Sequence, residues 1–128
     1  MWLLAAAAAA AAAMTVGPGG ADPRRVAEHG LGKNGEGRVA VVFPDRTNRT
    51  NPGRATIYLW VDDRWCRVGI GDYVRGSNRV DRGGRNPSIR LIDRRERAVD
   101  MYWRDGRLVL TRSGKQVRTL DAPASGCK

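Results

Sequence analysis

Apolar positions along this chain come in short runs, and from Arg38 onward the runs keep the period of a strand. They are RVAVVF (38–43), ATIYLWV (55–61), RWCRVGI (64–70), SIRLI (88–92), AVDMYW (98–103), RLVLT (107–111) and KQVRTL (115–120). In ATIYLWV, Ile57, Leu59 and Val61 share one face and Thr56, Tyr58 and Trp60 the other, because successive strand side chains point to opposite sides. SIRLI divides the same way, with Ile89 and Leu91 on a face to be buried and Arg90 turned away. No stretch of eleven residues keeps a helical apolar stripe. Asp105-Gly106 and Ser113-Gly114 are dipeptides that suit tight hairpins. Seven short strands without a helix predict an all-β domain, a sandwich or a barrel.

Before Arg38 the pattern is different. Leu3 to Ala13 is wholly apolar, and Pro18-Gly19-Gly20-Ala21 supplies small residues suited to a signal peptidase. The segment 1–21 therefore reads as a signal peptide cut after Ala21, although no Lys or Arg precedes the apolar run. The run ends near Val16, short of the ~20 residues that cross hydrocarbon, so no transmembrane segment is expected. Residues 22–37 carry four glycines and little periodicity, and read as a flexible N-terminal arm with at most one helical turn at RRVAEH. Residues 38–128 form a single all-β domain. A secreted monomer is the expectation.

Charge adds a question about partners. The net charge is +10, and arginine dominates it: of 23 basic residues only Lys33, Lys115 and Lys128 are lysines. A small domain this basic collects on anionic surfaces such as cell-wall polymers, lipid headgroups or nucleic acid. The arginine-rich candidates for such contacts are Arg75, Arg79, Arg82, Arg85, Arg94, Arg95 and Arg97. The two cysteines, Cys66 and Cys127, predict one disulfide in an exported chain.

Several of those arginines fall in GDYVRGSNRVDRGGRNPSIRLID (71–93). An RNA-binding RGG region needs repeated triplets in an apolar-poor context. This stretch has one triplet, Arg82-Gly83-Gly84, and strands flank it. It reads as an irregular loop over 71–87 closed by the SIRLI strand, and no specific nucleic-acid partner is expected.

GDY followed by a glycine-rich excursion and NPSIRLI resembles the βγ-crystallin Greek-key motif. IYLWVDDRWC, with Trp60 and Trp65, is similar to that family's opening strand and hairpin, and AVDMYWRDGRLVLTRSGKQVRTL to its next motif. The resemblance spans about Arg54 to Lys128 and implies a two-sheet Greek-key sandwich. Among secreted relatives it implies killer-toxin-like or metalloprotease-inhibitor-like binding. The chain departs at Arg67, where a hairpin glycine is expected, and in the calcium-binding runs. GGRNPS (83–88) keeps only Ser88, and DAPASG (121–126) keeps Asp121 and Ser125. Calcium needs six to eight oxygens, so no metal and no cofactor is expected. WRDGRLVLT is also similar to a bulb-lectin repeat, but only Asp105 and Val109 agree.

Catalysis finds few residues to use. His29 is the single histidine, and Glu28, Glu36 and Glu96 are the only glutamates. A Ser-His-Asp or Cys-His arrangement therefore lacks a natural base, and no phosphate loop opens a helix. Most aromatics are expected in the core, with one of the neighbours Tyr102 and Trp103 turned outward as a contact. The expected function is a small secreted basic binding module without catalysis. Its partner is a protein target or an anionic cell-surface polymer, met on loops such as 44–53 and 71–87.

Overall fold

In a computed structural model of the chain, residues 18–45, 53–80, 86–123 and 127 are described. Most of loop 44–53, the RGG triplet with Arg82 and Arg85, and the apolar part of the leader lie outside them. The described residues form nine strands and two short 3-10 turns, Pro18–Gly20 and Pro23–Arg25. The strands are β1 (Val26–Leu31), β2 (Gly37–Val42), β3 (Ala55–Val61), β4 (Arg64–Gly71), β5 (Tyr73–Arg79), β6 (Ser88–Asp93), β7 (Ala98–Arg104), β8 (Arg107–Arg112) and β9 (Lys115–Asp121).

The protein is all-β, as the alternation predicts. β1 to β4 make one antiparallel sheet and β5 to β9 a second. In both, every strand pairs with its neighbour in sequence. A Greek key requires a strand that returns beside a non-neighbour, in the spatial order 4-1-2-3. The observed order is a meander in each sheet.

The inner faces of both sheets supply the core. Ile57 and Leu59 of β3, Val39 and Val41 of β2, Ile89 and Leu91 of β6, Met101 of β7 and Leu108 and Leu110 of β8 are all buried. At the sheet margins β1 lies against β5 and β4 against β9. Side chains bridge these margins: Asn78 Nδ2 donates to the Glu28 carbonyl at 3.1 Å, and Arg118 Nη1 to the Ile70 carbonyl at 2.8 Å. Exposed edge groups thus find partners without a continuous ladder.

The turns follow the dipeptides. Asp105 and Gly106 take φ of 53° and 78°, and Ser113 and Gly114 take 52° and 80°, the left-handed pair that a two-residue hairpin requires. Asp62-Asp63 joins β3 to β4 with φ of 51° and 63°, the same geometry without glycine.

Two expectations are corrected. Residues 22–37 are not an arm, since they contain the second 3-10 turn and all of β1. β1 pairs along its whole length with β2, from Val26↔Val42 to Leu31↔Gly37. Its sequence, VAEHGL, carries a Glu, a His and a Gly, so partnership and not local pattern makes it a strand. Likewise 71–87 is not one loop: Tyr73–Arg79 is β5, paired with β6 in a register that shifts between Tyr73 and Arg75. A bulge there hides the alternation from the sequence.

Candidate functional site

A groove of about 1080 Å3 lies at the β7–β8 hairpin. Gly32, Lys33 and Glu36 of the β1–β2 loop line it, with Asn86 and Pro87 ahead of β6, the hairpin residues Tyr102 to Gly106, and Thr111 and Gly114. Strand alternation sets the aromatic pair. Met101 is fully buried, Trp103 packs on the core, and Tyr102 between them points to the outer face. Tyr102 is the outward aromatic that the neighbouring pair was expected to supply.

Trp103 is seated on backbone. A Cβ at Gly37 would lie 2.6 Å from its Cγ and Cε3, and a Cβ at Gly32 would lie 2.9 Å from its Cδ1. Two glycines thus make room for the indole under the β1–β2 loop. Glu36 holds the same loop by accepting the Asn34 N–H at 2.9 Å. Lys33, Arg104 and Asp105 make no ion pair among the described residues, so the groove presents both signs of charge.

A polar row crosses the outer face beside Tyr102. The registers align Ser77, Arg90, Asp100, Thr111 and Gln116, one from each of the five strands. Arg90 donates to Asp100 through Nε at 2.8 Å and Nη2 at 3.0 Å. This two-toothed bond raises the Arg90 pKa above its ordinary value.

The outer face of the first sheet carries a different constellation. Arg38, Trp60 and Trp65 stand in one cross-strand row. The Arg38 guanidinium carbon lies 4.9 Å from the Trp60 ring centre and 5.1 Å from that of Trp65, and Arg38 Nη2 donates to Glu28 at 2.8 Å. The two indoles meet edge to face at 5.1 Å. Trp60, Trp65 and Tyr58 are half-buried on this outer side and not in the core, which corrects the expectation for most aromatics. Pairing Leu59 inward forces both tryptophans out.

The seven arginines named from the sequence are scattered in their contacts. Arg75 pairs with Glu96, Arg97 with Asp93 at 3.1 Å, and Arg94 donates to the Gly53 carbonyl at 2.8 Å. Arg79 and Arg95 are exposed, and the Arg95 main-chain N–H bonds Asp93. Arg82 and Arg85 fall outside the described residues. Cys66 and Cys127 are disulfide-bonded with Cα atoms 5.2 Å apart. Ser88 is buried at the start of β6, Asp121 pairs with Arg107 at 3.5 Å, and Ser125 lies outside the described residues. No cluster of three His, Cys, Asp or Glu occurs among the described residues. His29 lies in β1, with its Nε2 buried and without a hydrogen-bond partner.

Sequence reasoning missed Lys33, Glu36 and Arg38 as surface determinants. The Gly-rich context of 30–37 conceals that this loop folds onto a distant hairpin. The fold and its surfaces define an all-β, two-sheet protein with one broad mixed-charge groove and a separate arginine–tryptophan face. Compared with protein-family models, curated proteins and solved structures, the chain finds no match. No helix among the described residues is long and apolar enough to cross a membrane. The disulfide suits an oxidising compartment.

Proposed function

We propose that the chain is an exported, basic binding module that meets a protein target through the groove at the β7–β8 hairpin. The observation that supports this is the groove itself: an outward Tyr102 beside Lys33, Arg104 and Asp105, none of the three charges held by an ion pair among the described residues. An aromatic with a polar tip and adaptable charges of both signs suits a shaped protein surface better than a uniform polyanion. The module binds and does not turn substrate over. Inhibitor-like or killer-toxin-like action is the family-level form of this proposal. It rests on the GDY and SIRLI resemblance, and the sequential strand order lends it no added support.

The test is capture with immobilised protein from culture supernatant and envelope fractions at two salt concentrations. A partner retained at both salts and released by Tyr102→Ala or Arg104→Ala supports the groove. Retention that both variants leave unchanged overturns it.

A second reading, an anionic cell-surface polymer bound by arginines, draws on the exposed Arg79 and Arg95. Surface ion pairs such as Arg75–Glu96 are weak enough to exchange for phosphate or carboxylate on a polymer. Binding of that kind falls steeply with salt and ignores Tyr102→Ala. Turnover of RNA or peptidoglycan by the purified protein would replace both readings with an enzymatic one.

A further inference from the structure

The outer face of the first sheet is covered by the chain's own start. Ala40 is on this face by register, opposite Glu28 and Tyr58, yet it is fully buried. The first 3-10 turn lies against β2 and buries Pro18. A hollow of about 330 Å3 remains between this segment and the sheet, lined by Pro18, Pro23, Val26, Glu28 and Trp65 among others. Two prolines, a valine and a tryptophan therefore meet at one place.

The polar groups of the segment are satisfied locally. The Ala21 N–H bonds the Pro18 carbonyl at 3.1 Å, the Arg25 N–H bonds the Asp22 carbonyl at 2.8 Å, and Asp22 accepts the Arg24 N–H at 3.0 Å. Proline has no N–H, so burying Pro18 leaves no donor orphaned. The first backbone bond from this segment into the sheet among the described residues is Phe43 N–H to the Arg25 carbonyl, at 2.7 Å. Upstream of the anchor, Pro18 to Ala21 makes no backbone hydrogen bond into the sheet among the described residues. A chain held this way can leave, and another of like chemistry can take its place.

We propose that this face is a binding site for short, turn-forming, proline-containing peptide segments, occupied within the chain by Pro18–Pro23. Trp65 offers the proline ring an apolar partner, and the Glu28–Arg38 pair frames the edge beside the buried Ala40. The signal-peptidase cut expected after Ala21 falls within this segment, between Pro18 and the anchor at Arg25. Cleavage there removes Pro18 and opens the site on the exported protein. This site is on the opposite sheet from the Tyr102 groove, so either proposal can fail alone.

The test uses the full chain and a synthetic peptide of residues 17–23, GPGGADP, with both prolines replaced by alanine in a control peptide. Binding is followed by tryptophan fluorescence and by the Trp65 indole N–H resonance. In the unmodified chain the tethered segment competes at high effective concentration. Pro18→Asp should therefore bind the peptide at least about tenfold more tightly than the unmodified chain. Pro18→Gly serves the same purpose should Pro18→Asp not fold. Trp65→Ala combined with either variant abolishes the response, and the control peptide gives none. Equal affinity for the proline and alanine peptides, or an opened chain that gives no saturable response, overturns the proposal.

Discussion

The indole of Trp103 lies directly over the backbone of Gly37, closer than any side chain at position 37 would permit. The contact joins the start of β2 in one sheet to the end of β7 in the other. Gly37→Ala must push the indole away or bend β2, and overpacking of this kind costs about 1–3 kcal/mol. Gly106→Ala has open space around it and only its φ of 78° against it, a cost of about 1 kcal/mol. Denaturant melts should rank the first variant below the second. Only Gly37→Ala should alter the near-ultraviolet circular dichroism of the tryptophans. An unchanged near-ultraviolet spectrum would show that Trp103 is not seated as described.

Ile89 and Arg79 separate the packed strand from the exposed surface. Ile89 is fully buried on β6, and its truncation to Ala removes core volume, costing about 2–5 kcal/mol. Arg79 is exposed at the end of β5, and Arg79→Ala stays within about 0.5 kcal/mol of the parent. Urea midpoints of the two variants check this ordering.

The Cys66–Cys127 bond joins residues separated by 61 positions and ties the chain end to β4. Opening a loop of this size removes about 4 kcal/mol by the chain-entropy account. A double Cys→Ser variant should therefore melt many degrees lower, with the same all-β circular dichroism when cold. Intact mass after alkylation without reductant should show no modified thiol in the protein purified under non-reducing conditions.

Asp93 predicts an acid limb. Its carboxylate accepts the Arg97 N–H at 2.9 Å and the Arg95 N–H at 2.8 Å, and Arg97 Nε adds a third bond. These bonds, the Arg97 main-chain one foremost, hold its pKa below the ordinary 3.8. A pKa lower in the folded than in the unfolded chain contributes stability above the unfolded value. That contribution is lost as pH falls from 3.8 through the folded value. Thermal melts from neutral pH down to about pH 2 should show a shallower acid loss for Asp93→Asn than for the parent. Parallel curves would mean that the turn Asp93–Arg97 does not sense protonation.

Alternation in ATIYLWV and SIRLI was enough to assign both strands, their buried faces and the outward Arg90. The hairpin dipeptides and the lone cysteine pair were equally legible, because each depends on a few neighbouring atoms or on composition. Tyr102 as the outward member of its pair followed from the same two-residue period. β1 was not legible, since Glu28, His29 and Gly30 are strand-like only when β2 supplies the hydrogen bonds. β5 was masked by its glycine and bulge.

The surfaces depended on tertiary structure more than the strands did. Arg38 is distant in sequence from Trp60 and Trp65, which share one hairpin, and it meets them only because β2 pairs with β3. Lys33 and Glu36 reach the Tyr102 hairpin because Gly32 and Gly37 let the loop close over Trp103. Meander order, and not the Greek key that the resemblance implied, is also a tertiary outcome, because local patterns specify which face is buried but not which strands become neighbours. Sequence alone therefore determined an all-β chain with its turns, inward faces and cysteine partners, each set by short-range geometry and hydrophobicity. Pairing order, the groove and the covered arginine–tryptophan face were decided by contacts between residues distant in the chain.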